Sequence, residues 1–97
     1  MNINKTVNGT ETVISLSGWL DTKTAPELKD VIDNLEHETE SLVLDSAELE
    51  YISSAGLRQL VAAHKKMNGN LTIRSVSKEI MDILRMSGFD KRLHIEA

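Results

Sequence analysis

The chain is 97 residues long, enough for one hydrophobic core and not two, since single cores organise about 100 to 150 residues; one domain over residues 1–97 is expected. Apolar residues make up 40% and charged residues 27%, a globular composition that argues against disorder, while a single Trp, Tyr and Phe leave little with which to stack bases or sugars. The net charge of -4, with no cluster of Lys or Arg, excludes nucleic acid and anionic membrane as natural partners.

The absence of cysteine removes disulfides, thiol catalysis and Cys-ligated zinc together. Met1 to Lys5 is followed by no apolar segment of a secretory leader, and the longest apolar run, Leu60-Val61-Ala62-Ala63, is far short of the roughly 20 residues that cross a bilayer. These features predict a soluble chain of the cytoplasm.

In chain order, Ile3, Lys5 and Val7 alternate with polar residues, Asn8-Gly9 tolerates positive φ, and Thr10 to Ser17 resumes an extended pattern around Val13, Ile14 and Leu16; this predicts a hairpin. Thr24-Ala25-Pro26-Glu27 then places a capping Thr three before a Glu with Pro in the first turn, and Leu28, Val31, Ile32 and Leu35 share one face of a helix. Ser41 to Asp45 reads as a short central strand covered on both faces and closed by Asp45. Ser53-Ser54 open a second helix carrying Leu57, Leu60, Val61 and His64 and ending near Gly69. Leu71 to Arg74 is a strand, Ser77 caps a helix with Ile80, Ile83 and Leu84, Gly88 closes it, and Leu93 to Ile95 is a final strand. The order ββαβαβαβ predicts an α/β fold with an open, mostly parallel mixed sheet and helices packed on it.

In such sheets, functional groups gather at the carboxyl ends of strands and the helix starts that follow, here the segments Gly18 to Thr24 and Asp45 to Gly56. Ser53 and Ser54 have two possible uses there. A hydroxyl at a helix N-terminus caps the helix by accepting an orphan N–H; a phosphoserine would instead set about -1.5 to -2 charge against the positive end of the helix dipole. Arg58, one turn on, is either a solvated helix residue or a phosphate partner. Asp21 and Asp45 either organise loops or act in the site. Ser53-Ser54-Ala55-Gly56 is not a hydrolase nucleophile elbow, and His37, His64 and His94 are scattered singly, so neither a catalytic residue, a metal nor a cofactor is expected. Trp19, its alternation with Leu20 pointing it away from the core, is either an interface anchor in the Gly18 to Thr24 loop or a cover for the sheet edge.

Gly18-Trp19-Leu20-Asp21, Thr24-Ala25-Pro26-Glu27-Leu28, Leu42-Val43-Leu44-Asp45, Tyr51-Ile52-Ser53-Ser54-Ala55-Gly56-Leu57 and Met86-Ser87-Gly88-Phe89 together resemble the STAS domain, specifically the stand-alone anti-sigma factor antagonists, over nearly the whole chain. The resemblance implies a switch. The unphosphorylated antagonist binds an anti-sigma factor that is also a serine kinase, that kinase inactivates it by phosphorylation, and a phosphoserine phosphatase resets it.

The family's Asp-Ser-Ser/Thr/Ala-Gly-Leu pattern places the modified Ser on Ser54, with Ser53 as runner-up, and matches Asp21 to the acid near the phosphosite and Asp45 to the acid closing the central strand. Trp19, Asp21, Ser53, Ser54 and Arg58 form the expected partner surface. Two positions depart from the pattern: Ser53 stands where Asp is common, and Arg58 where a small residue is common. Both changes favour a phosphate electrostatically. The resemblance also implies an alternative, a constitutive adaptor subunit of a larger assembly such as a lipid-transport complex, in which no serine need be modified.

Overall fold

The computed structural model describes residues 1–97. Five strands, β1 (Asn2–Asn8), β2 (Glu11–Leu20), β3 (Ser41–Ile52), β4 (Leu71–Arg74) and β5 (His94–Ile95), alternate after the first hairpin with helices α1 (Ala25–Asp33), α2 (Ser54–Lys66) and α3 (Lys78–Met86). A single 3-10 turn, Phe89–Lys91, precedes β5. The strands lie side by side in the order β1-β2-β3-β4-β5. β1 pairs antiparallel with β2 and every other pair is parallel, the open mixed sheet expected from the element order.

This order explains where the core lies. β2-α1-β3, β3-α2-β4 and β4-α3-β5 step across the sheet in one direction, and right-handed crossovers that never reverse direction leave all their helices on one face. Ile14, Leu16 and Leu20 of β2, Leu42 and Leu44 of β3, and Leu71 and Ile73 of β4 thus share one cluster with Leu28 and Ile32 of α1, Leu57, Leu60 and Ala63 of α2, and Ile80 and Leu84 of α3. Fully burying such an aliphatic side chain stabilises by about 1.5–3 kcal/mol. The expectation that β3 is covered on both faces is corrected: Val43 is buried yet lies outside this cluster, in register between Val13 and Thr72 on the helix-free face. A continuous apolar run such as Leu42-Val43-Leu44 does not by itself distinguish the two arrangements.

Local signals account for the element ends. Gly9 adopts φ +62 in the hairpin turn, and Pro26 lies in the first turn of α1. Ser77 accepts the Ile80 N–H at 3.2 Å. α2 stops at Lys66 rather than at Gly69, and the chain leaves it through Asn68 and Gly69, both at positive φ; the Gly69 N–H still bonds back to the His64 carbonyl at 2.9 Å.

Two strands run further than the sequence suggests. β2 continues through Gly18-Trp19-Leu20, so Trp19 lies on a strand and not in a loop. β3 does not close at Asp45 but continues to Ile52. The register with β2 slips twice, between Ser15 and Ser17 and between Gly18 and Trp19, each time with one extra residue on β3. These are β-bulges, which bend a strand and re-aim its side chains. Apart from Val43 on the helix-free face, the buried residues of β3 consequently fall at 42, 44, 46, 49 and 52, a spacing that drifts from two to three and hides the strand from any alternation test.

Candidate functional site: the start of α2 and the ends of β2 and β3

At the carboxyl end of β3 the chain turns directly into α2. Ser53, with extended backbone, is the N-cap, and its Oγ accepts the Gly56 N–H at 3.3 Å. Its own N–H donates to the Leu20 carbonyl at 2.9 Å, tying the start of α2 to the end of β2. Ser54 is the first helical residue and is exposed, whereas Ser53 is half-buried. The two serines therefore divide the roles that the sequence left open: Ser53 serves as cap, and Ser54 presents a hydroxyl to solvent at the positive end of the helix dipole. Arg58 is exposed one turn further along α2.

Gly56 lets this junction close. A Cβ added there would meet the Leu20 carbonyl oxygen at 2.6 Å and the side chains of Leu20 and Ile52 at 2.9 Å. No room for a side chain exists where the first turn of α2 packs on β2 and β3.

Asp21 follows β2 directly. Its Oδ1 accepts the N–H groups of Lys23 at 2.9 Å and Thr24 at 3.1 Å, and its carbonyl accepts the Ala25 N–H at 2.8 Å. Thr24 is the N-cap residue of α1, but the capping Thr–Glu pair expected there does not form. The Thr24 hydroxyl turns back instead, donating to the Trp19 carbonyl at 2.6 Å and accepting the Asp21 N–H at 2.8 Å. Asp21 rather than Thr24 supplies the side-chain acceptor that organises this turn, its carboxylate accepting two backbone N–H groups at once.

Asp45 lies elsewhere. It sits mid-strand on the helix-free face, its Oδ1 accepting the Ala47 N–H at 3.1 Å and its Oδ2 the Arg74 guanidinium at 3.1 Å. Six residues of β3 separate it from Ile52, roughly 20 Å of extended chain. It pins the first bulge and the end of β4, and it does not join the Ser54 surface.

The Thr24 N–H foremost, helped by the Lys23 N–H, the Thr24 hydroxyl and the Lys23 charge and opposed by partial desolvation, holds the Asp21 carboxyl below the usual carboxylate range. The Ala47 N–H and the Arg74 guanidinium do the same for Asp45 against partial burial. A carboxylate whose folded pKa is depressed stabilises the fold above its unfolded pKa of about 4 and loses that contribution as the pH falls through the folded value. Urea midpoints should therefore decline as the pH drops from about 5 toward 2. Asp21→Asn and Asp45→Asn should each flatten that decline; an unchanged slope in both would show that these carboxylates do not carry it.

Trp19 projects from β2 away from the core, as expected from its alternation with Leu20, and is 57% exposed. On β3 it pairs in register with Tyr51, 41% exposed, and the two rings lie 5.2 Å apart, tilted by 50°. The sequence reading missed this pair. Its available signal was that two of only three aromatic residues precede the Asp21 and Ser53 turns by the same two residues.

The two cavities of the fold lie away from Ser54. One of about 400 Å³ is lined by Asp33, Glu36, Lys66 and Asn70 near the carboxyl ends of α1 and α2, and one of about 340 Å³ lies between β1 and α1. The Ser54 surface is open, a shape suited to a protein partner rather than to enclosing a small substrate. No helix is long and apolar enough to cross a membrane.

No curated protein matches the sequence. Among solved structures, the fold is similar to an anti-sigma factor antagonist from Mycobacterium paratuberculosis, with 23% identity, a TM-score of 0.85, and coverage of 98% of this chain and 84% of that one. It is also similar to an anti-sigma-factor antagonist (STAS) domain protein from Planctomyces limnophilus, with 17% identity, a TM-score of 0.80, and coverage of 98% and 89%. The phosphorylated form of the Bacillus cell fate determinant SpoIIAA matches with 16% identity, a TM-score of 0.74, and coverage of 99% and 91%. At these identities the likeness is one of fold. The sequence model of the family described as Mlab, STAS domain, matches residues 3–95, and with nearly every residue covered, the chain belongs to the STAS domain family.

Proposed function

We propose that this domain is an anti-sigma factor antagonist whose binding to an anti-sigma factor with serine kinase activity is switched by phosphorylation of Ser54 and reset by a phosphoserine phosphatase. The observation that supports it most is the division of labour at the start of α2: Ser53 is engaged as the cap while Ser54 is exposed on the first helical position. A phosphate on Ser54 would meet the helix N-terminus and Arg58 without displacing the cap. Asp21, in the turn beside the Leu20–Ser53 hydrogen bond, extends the same surface, and Trp19 lies on the neighbouring strand end. A fold shared with antagonists, one of them solved in a phosphorylated form, agrees with this reading. Mass spectrometry after incubation with the cognate kinase and ATP tests it: phosphate on Ser54 is expected, and phosphate on Ser53 alone or nowhere would overturn it.

The switch is local. An anion at this helix start needs no movement of the backbone, so NMR shifts on phosphorylation should cluster at 18–24 and 53–58. Changes spread across α3 and β5 would mean a conformational switch.

A second reading, which membership of the STAS domain family equally allows, is a constitutive adaptor subunit of a larger assembly such as a lipid-transport complex. It predicts that changing Ser54 is silent.

A further inference from the structure

The helix-free face of the sheet carries an exposed aromatic pair, of which Trp19, expected in the Ser54 partner surface, points to the other face of the sheet from the helix that carries Ser54. Trp19 and Tyr51 stand side by side at the ends of β2 and β3, both well exposed, although a chain with three aromatics would be expected to spend them in its core. The second β3 bulge brings them together, because the extra residue Glu50 shifts Tyr51 into register with Trp19. Tilted rings at this separation attract each other, and both remain open to solvent.

The charge around this pair is acidic and unmatched. Glu48, paired in register with Ser17, and Glu50 both precede Tyr51 on β3 and are exposed. The ion pairs of the fold lie elsewhere, joining Lys5 to Glu36, Lys29 and Lys66 to Asp33, and Arg74 to Asp45, and the His94–Glu96 contact is likewise distant in the sheet. Neither Glu48 nor Glu50 has a cationic partner, whereas Asp45 on the same strand has Arg74. Indole and phenol faces attract a guanidinium or ammonium group, and uncompensated carboxylates beside them add attraction of the same sign.

We infer that the Trp19–Tyr51 pair with Glu48 and Glu50 is a second docking surface, which receives an Arg- or Lys-bearing segment of a partner protein. Its chemistry disfavours a second copy of this chain, since apposing two such patches would set carboxylate against carboxylate at a net charge of -4 each. The surface stands on the face away from the helices and binds whether or not Ser54 is modified. It goes beyond the phosphorylation reading and does not need it.

Trp19 is the sole tryptophan, so its emission and its indole NMR signal report this surface directly. The probe is a synthetic peptide of about ten residues with alternating Gly and Arg, compared with its Gly and Glu counterpart. The Arg peptide should shift the Trp19 and Tyr51 signals saturably, more weakly as salt rises through the screening range, and the Glu peptide should not. Glu48→Gln with Glu50→Gln, and separately Trp19→Phe with Tyr51→Ala followed by backbone NMR, should each weaken the peptide about ten-fold or more with the fold intact. Ser54→Asp should leave peptide binding unchanged. No response of Trp19 to the Arg peptide, an equal response to the Glu peptide, or indifference to the Glu48 and Glu50 changes would overturn the inference, as would loss of peptide binding in Ser54→Asp. Self-association that the Trp19 and Tyr51 changes abolish would also overturn it, by assigning the surface to a second copy. Failure of the switch shows separately, as kinase binding indifferent to Ser54→Asp while the peptide still binds.

Discussion

Gly56→Ala is expected to destabilise the domain by on the order of 2–4 kcal/mol, although alanine is intrinsically favoured over glycine in a helix by about 1 kcal/mol. The added methyl would sit 2.6 Å from the Leu20 carbonyl oxygen and 2.9 Å from Leu20 Cγ and Ile52 Cγ2. Side chains can turn aside, but the carbonyl cannot: it accepts the Ser53 N–H and lies on a strand held by its neighbours. Relief requires the first turn of α2 to lift, which breaks the Ser53–Leu20 hydrogen bond and moves Ser54. The variant should thus lose stability in urea unfolding and show altered NMR signals at 53–58. A midpoint equal to wild type would mean that the α2 start tolerates displacement and that Gly56 is not what closes the junction.

Ser54→Asp is expected to weaken binding to the anti-sigma partner about ten- to hundred-fold, or roughly 1.4 kcal/mol for each tenfold step, while Ser54→Ala binds as the unmodified protein does and can no longer be switched. The reasoning rests on the docked state. Unmodified, the surface offers a small hydroxyl beside the Asp21 turn; a charge added there must be desolvated and lies near a carboxylate already ionised, each effect worth on the order of 1–3 kcal/mol. The phosphate, with about -1.5 to -2 charge, should weaken binding more than aspartate does. Because Ser54 is exposed at a first helical position, neither substitution should move the melting temperature appreciably. Calorimetric titration of the partner with each variant decides the matter: equal affinities for Ser54→Ala, Ser54→Asp and wild type would reject the switch and favour the adaptor.

The element order and most helix ends were legible in the sequence because they follow from interactions within a few residues. The Leu28 and Ile32 spacing, the Ser77 cap and the Asn8-Gly9 turn are such cases, each satisfied by neighbouring backbone. The place of Ser53 and Ser54 at a helix start was legible for the same reason. Which serine caps was not. That depended on the hydrogen bond from Ser53 to Leu20, a residue distant in sequence.

Tertiary structure decided what depends on pairing between strands. The β3 bulges break the two-residue period, so Ser46 to Ile52 reads as a loop in sequence although its pairing with β2 makes it a strand. The regular β3–β4 register sets Arg74 beside Asp45, the continuation of β3 to Ile52 separates Asp45 from the Ser54 surface, and the second bulge sets Tyr51 beside Trp19. The one-sided placement of the helices likewise follows from three right-handed crossovers stepping in one direction, a property of the strand order and of no single segment. Local chemistry determines elements and their ends, and register determines which side chains meet, because register is set by contacts between residues far apart in the chain.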